Sequence, residues 1–366
     1  MKAIVLFALV ALSFSSKIIN KEFVNSLKKI APFEVYAPEE NPFRDYTDEE
    51  LKGLMGDFEA QNEEPFDGLA QKLRDVPESW DFRVDYADCA LTIKDQMSCG
   101  SCWAFAASTA LQHRFCFASQ KEIKVMLSAQ HLVSCDTASH ACQGGYRDTS
   151  WKFFQEKGIV DEDCFPYTAG EGDVEPCITE CKNGQPWKVY KVTDYAGYKN
   201  PAAIKEEMVA HGPIHTGFQV YSDFMSYKSG IYEHKSGSYM GGHAVVFVGY
   251  GVEDGVDYWI CQNSWGPAWG ESGFFRIKVG ECSIDINSWV SKLIFFTFIN
   301  YFFNLLYFIG WNTTHLSLRV SLLDNFISTS FPLQALNLFY KSNKVNFTLF
   351  ILFFAFFFYI LFFYFY

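Results

Sequence analysis

In Gln96-Met97-Ser98-Cys99-Gly100-Ser101-Cys102-Trp103-Ala104-Phe105-Ala106 a cysteine stands directly before a helix-forming run. Trp103, Ala107, Ala110 and Leu111 recur at helical spacing with no Pro or Gly to interrupt them, and Ser101 is placed to act as N-cap. A thiol in the first turn of a helix meets backbone N–H groups and the positive end of the dipole, which favour the thiolate. Cys102 is therefore a candidate nucleophile, and a nucleophile of this kind needs a base and a group to orient the base. His243 follows two glycines and opens the β-branched run Ala244-Val245-Val246, which suits an imidazole presented at the start of a strand. Asn263 sits in Gln262-Asn263-Ser264-Trp265-Gly266. A lone cysteine or histidine is more often structural. Cys, His and Asn in this order, about 140 and 160 positions apart from the thiol, point to thiol chemistry.

The elements that must position these residues differ between the two halves. Helical signals cover 102–117, 128–134 and 149–157, whereas 244–248, 257–261 and 273–279 cluster Val, Phe, Tyr, Trp and Ile between glycines, as strands do. Residues 77–290, roughly 210 of them, can bury a full core and suit two lobes. An α+β arrangement follows, a helical lobe carrying Cys102 packed on a β lobe carrying His243, with the site in the cleft between.

Cys99-Gly100-Ser101-Cys102-Trp103, with the downstream His and Asn, resembles the papain-like cysteine proteases over essentially all of 77–290. Tyr221-Ser222-Asp223-Phe224, Tyr227 to Tyr232 and Met240-Gly241-Gly242-His243 are similar to the cathepsin B branch. The resemblance implies a papain-like two-lobe fold with a β-barrel-like second lobe. It implies peptide-bond hydrolysis by a Cys102 thiolate and His243 imidazolium, with Asn263 orienting the ring and Trp265 shielding that contact. Gln96 would join the Cys102 backbone N–H in stabilising the oxyanion. Gly144 and Gly145 would form a backbone edge for peptide and protein substrates, and Asn287 would lie at the bottom of a side-chain pocket. The implied disulfides are Cys89–Cys116, Cys99–Cys142, Cys135–Cys177 and Cys164–Cys181, which leaves Cys261 and Cys282 as buried free thiols.

Three features depart from that branch. Cathepsin B has an extra loop bearing two histidines that capture a substrate's C-terminal carboxylate. Here the twelve residues between Cys164 and Cys177 contain no His. An endopeptidase is expected in place of a dipeptidyl carboxypeptidase, which stays as the alternative. Met97 replaces the usual Gly after the oxyanion Gln. Asn287 replaces an acidic residue, which weakens any pairing with a substrate Arg.

The ends have their own character. Lys2, the apolar run from Ala3 and the small residues Ser13 to Ser16 read as a secretory signal over 1–16. Thr47-Asp48-Glu49-Glu50 is a capping box before Leu51, Leu54 and Met55, and residues 17–76 read as a propeptide that would inhibit the enzyme. Eleven cysteines suit an oxidising compartment, so a lysosomal, vacuolar or extracellular monomer is expected. A net charge of −12 disfavours nucleic acid as partner, and the eight His show no metal-ligand spacing, so neither metal nor cofactor is expected. From 291 to 366 the chain becomes Phe- and Leu-rich. Stretches 293–311 and 349–366 are long enough to span a bilayer, and a membrane-tethered homologue acting as a binding protein is a further alternative. Translated non-coding sequence is the other reading of this tail.

Overall fold

A computed structural model describes residues 17–58, 76–89 and 92–292 of the 366; the expected signal peptide and the tail from 293 onward lie outside the described residues. By internal contacts the chain divides into Met1–Asn300 and Tyr301–Tyr366, and only the first unit contains described residues. No helix among the described residues is long and apolar enough to cross a membrane.

The helix Cys102–Ala118 is the centre of the first half, and every side chain from Cys102 to Cys116 is buried. Its expected one-sided stripe is therefore a face of a helix buried all round, as an Ala- and Phe-rich helix inside a core must be. Several of its polar groups are matched within the protein, although Gln112 Nε2 is buried without a partner among the described residues. Gln112 Oε1 accepts from the Leu127 amide at 3.1 Å, and His113 bridges the Cys89 carbonyl and Gln262 Oε1, both at 2.9 Å. Helices Ala129–Cys135 and Arg147–Glu156 pack against it.

The second half is a sheet of eight strands. In order these are Asp194–Tyr198, Ser288–Lys292, Ile214–Tyr221, Tyr239–Glu253, Val256–Gln262, Phe274–Lys278 and Ile231–Tyr232, with Trp80–Asp81 on Tyr239–Glu253. Neighbours are antiparallel except Phe274–Lys278 and Ile231–Tyr232. The strand Ser288–Lys292 runs two residues past the expected boundary at 290. Helices and sheet share one continuous core, in the α+β arrangement expected from the sequence.

The four disulfides pair Cys89–Cys116, Cys99–Cys142, Cys135–Cys177 and Cys164–Cys181. Cys102 and Cys261 are buried free thiols, but Cys282 is only half-buried and takes a left-handed backbone (φ 49°), contrary to the expected buried position.

The stretch 17–58 packs on this body. Thr47 and Glu50 form both halves of the capping box on the helix Asp48–Gly53. Glu34–Val35 pairs with Tyr227–Ser229, Phe33 packs against Tyr227 and Tyr232, and Phe43 meets Trp265 edge-on at 5.2 Å. The chain then crosses the junction between helices and sheet as the short strand Asp57–Phe58.

Candidate active site

Cys102 begins the central helix with Ser101 at the N-cap position as expected, but the side-chain capping bond is not formed: the Ser101 hydroxyl lies 3.0 Å from Tyr167 Oη and makes no bond to a first-turn amide. The Ser101 carbonyl instead takes the Ala104 and Phe105 amides at 2.9 and 3.1 Å. His243 stands on Tyr239–Glu253, opposite Phe218 on one neighbour strand, and Asn263 directly follows the other, Val256–Gln262. This adjacency brings the two side chains together. His243 Nε2–H donates to Asn263 Oδ1 at 2.7 Å, and the Ser264 amide donates to the same oxygen at 2.8 Å, which fixes the orientation of the Asn amide. In a neutral ring with its proton on Nε2, Nδ1 is the basic nitrogen. Trp265 stacks on the imidazole, 4.5 Å between centroids. The amide of Ala244, next to His243, reaches the Cys102 sulfur.

Burial pushes the Cys102 thiol up to about 12, and the Asp57 carboxylate adds to the push against the amides of Ala244, Gly56 and Trp103. Burial likewise takes His243 down to about 4, although Asn263 and the Leu54 carbonyl favour its charged form. In this fully buried pair both shifts disfavour the charged forms, so the seated segment works against the thiolate.

The burial comes from residues 54–58. Gln96 Nε2 donates to the Leu54 carbonyl (3.0 Å) as well as to Cys99 (2.9 Å), and Ser264 Oγ donates to Gln96 Oε1 at 2.8 Å, which holds the NH2 end toward the segment. The Gly145 amide donates to the Gly56 carbonyl at 2.9 Å, and Asp57–Phe58 runs parallel to Gly145–Tyr146. The backbone edge that meets the segment is Gly145–Tyr146, whereas the Gly144 amide and carbonyl bond Ala141 and His140 within their own turn; Gly144 borders the segment through space alone, since a Cβ there would meet Phe58 at 2.6 Å. A Cβ on Gly145 would instead strike the Trp103 ring at 2.5 Å, so its glycine serves the packing beneath the edge.

Asn287 is not the group that meets the segment with its side chain. Its Oδ1 accepts from Trp289 Nε1, while its carbonyl accepts from Arg147 Nη1. Arg147 forms an ion pair with Asp57 at 3.0 Å, the two side chains only 6% and 2% exposed. Neither residue drew notice in the sequence, although Arg147 stands two places after Gly145. Met97 takes a left-handed backbone (φ 54°), as its usual glycine would, with its amide bonded to Asp95 Oδ1 at 2.8 Å and its side chain lying on Gly170.

A thiol, an imidazole, an amide that orients it and an amide donor beside the sulfur make up the equipment of a thiol acyl-transfer site. The papain family cysteine protease profile matches residues 76–292. The chain belongs to that family, and it is a cysteine peptidase of the cathepsin B-like branch, made as a zymogen. It is 39% identical over 291 residues to cathepsin B-like CP3 of Giardia intestinalis, covering 76% of this chain and 96% of that protein. A gut-specific cysteine proteinase of Caenorhabditis elegans is 36% identical over 66% of this chain and 82% of its own length. Among solved structures, procathepsin B S9 from Trypanosoma congolense superposes with a TM-score of 0.70 at 27% identity, covering 76% of this chain and 99% of that one.

Proposed function

We propose that the mature protein is a cysteine-type endopeptidase released by removal of residues 17–76. The observation that carries this reading is the seating of residues 54–58 over Cys102 and His243, with Gln96 and Gly145 bonded to their carbonyls. Those two donors greet the segment as they would greet a substrate backbone. Once the segment leaves, water returns and the pair can become thiolate and imidazolium. Cys102 Sγ attacks the peptide carbonyl, and the oxyanion is held by Gln96 Nε2 and the Cys102 amide. His243 gives its proton to the leaving amine, and water then hydrolyses the acyl-enzyme. Asn263 keeps the ring in the required tautomer.

Endopeptidase action is supported by the loop between Cys164 and Cys177, which is tied at both ends by disulfides and carries no histidine to bind a terminal carboxylate. Residence in the secretory pathway, in a digestive or lysosome-like compartment or outside the cell, is supported by the four disulfides. The test is one peptide with an amidated C-terminus and its free-acid twin, each given to the processed protein and to Cys102→Ala, with products read by mass spectrometry. Internal cleavage of both by the native protein alone is expected. Dipeptides released only from the free acid would refute the endopeptidase reading, and equal activity of Cys102→Ala would refute thiol catalysis.

A further inference from the structure

Arg147 and Gly217 together outline a pocket beside the catalytic pair. Arg147 is the first residue of the helix Arg147–Glu156, and its guanidinium is held from one side by the Asn287 carbonyl. Gly217 lies inside the strand Ile214–Tyr221, where glycine is normally costly and marks a close approach. Its backbone is not left-handed, so conformation does not require glycine there. Space does: a Cβ would fall 2.1 Å from Asp57 Oδ2 and 3.0 Å from Arg147 Cζ. The strand therefore leaves room for a carboxylate at the guanidinium. Asp57 fills it, placed by the pairing of its own backbone with Gly145, and Gly242 leaves room for its carbonyl, which would lie 2.2 Å from a Cβ there.

Asp57 precedes the protease domain that begins near residue 76, and it departs when that domain is freed. Arg147, Gly217 and the Asn287 carbonyl stay behind. A guanidinium that is nine-tenths buried under its carboxylate partner in the zymogen, and is left without that partner when the segment goes, is a site for another carboxylate, and Arg is the side chain best shaped to take one. We propose that Arg147 is the specificity-determining residue of the mature cleft and selects substrates with Asp or Glu at the residue that pairs with Gly145. Asp57 thus occupies in the zymogen the place of the substrate's acidic side chain. The proposal rests on the reading of this cleft as a peptidase site.

The test uses the full chain, processed to active enzyme, and a fluorogenic peptide library in which the residues preceding the scissile bond are varied one position at a time. At one position Asp or Glu should raise kcat/KM at least tenfold over Asn, Gln and Leu. In Arg147→Met that ratio should fall to about one, and in Arg147→Glu it should invert in favour of Arg or Lys. The ratio of acidic to neutral peptide within each preparation is the readout, so a general loss of folded enzyme cancels. If either variant fails to fold, the library on the native enzyme decides alone. Cleavage that depends on Cys102 with no acidic preference, or with a preference unchanged in Arg147→Met, would overturn the role of Arg147 and leave the peptidase standing. Absence of Cys102-dependent cleavage of every peptide would overturn both.

Discussion

Replacing Gly56 by alanine should unmask the catalytic thiol in the uncleaved protein. Gly56 has no left-handed backbone to explain its glycine; the reason is contact. A Cβ there would lie 1.8 Å from the Gly100 carbonyl oxygen and 2.5 Å from its carbon, distances at which something must move. Gly100 cannot easily give way, because it follows disulfide-bonded Cys99 and its amide is tied to the Cys142 carbonyl at 3.0 Å. The segment yields instead. A thiol pushed up to about 12 is ionised to about one part in 10⁵ at pH 7, whereas one near its ordinary 9.0 is ionised to about one part in 10². Full release therefore raises the thiolate fraction by up to about a thousandfold, and alkylation by iodoacetamide by at least tenfold once the lower intrinsic nucleophilicity of the more acidic thiol is allowed for. The full-length protein would be alkylated at pH 7, with intact mass showing that it is uncleaved and peptide mapping giving the rate at Cys102. Gly53→Ala is the matched control, since a Cβ there meets nothing within 4 Å. If Gly56→Ala reacts as slowly as the native chain, or Gly53→Ala reacts as fast, the segment does not control the thiol in the way its geometry requires.

Other perturbations separate catalysis from stability. Gln96→Ala should lower kcat by about 10²–10³, and Ser264→Ala, which removes the bond at 2.8 Å orienting the Gln96 amide, by about tenfold. Steady-state kinetics on one peptide decides, and an unchanged kcat in Ser264→Ala would show that Gln96 needs no such support. Burial alone would raise the Glu207 carboxyl, but the Arg114 guanidinium beside it and His211 hold it at about 2. Glu207→Gln should therefore cost about 3–5 kcal/mol at pH 7 in denaturant melts, and in the native protein this support should fade as pH falls from about 4.5 toward 2. Burial also takes His131 down to about 4, so an unfolded chain binds more protons than the folded one between about 6.5 and 4, and stability falls as pH falls through that window. His131→Phe, in a site already lined by Phe153 and Phe165, should remove one histidine's share of the slope in that part of a Tm-against-pH curve, with His113 and His243 among the groups supplying the rest.

Much of the site was legible because its residues announce themselves locally. A thiol at a helix start, an imidazole at a strand start and an amide after the next strand need only sequence order and period to be placed, and the capping box at Thr47 is complete within four residues. What escaped depends on contacts between distant parts of the chain. The Ser101 hydroxyl is drawn to Tyr167, a competitor no local pattern reveals, so Ser101 holds the N-cap position without the side-chain bond. Arg147 reads as an ordinary charge at a helix start until the fold lays Asp57 and the Asn287 carbonyl against it. Cys282 is expected as a buried free thiol once the disulfides are assigned, but it sits at a left-handed turn after Gly280, which holds it half-exposed.

The glycines of the cleft show why this limit has functional weight. In the sequence, Gly144, Gly241 and Gly242 signal turns and a strand start, and Gly217 is merely a weak point in a strand. In the structure each faces the segment: Phe58 at 2.6 Å from a Cβ on Gly144, Asp57 Oδ2 at 2.1 Å on Gly217, Met55 at 2.6 Å on Gly241 and the Asp57 carbonyl at 2.2 Å on Gly242. A substrate strand in the same cleft needs the same clearance, so a side chain added to these walls would exclude substrate along with the segment. The strength of the latch can therefore be tuned without damage to the enzyme only from the segment's own side, by residues that are discarded on activation. Gly56 and Asp57 are two such residues, one setting how closely the backbone seats and the other supplying the charge that Arg147 holds.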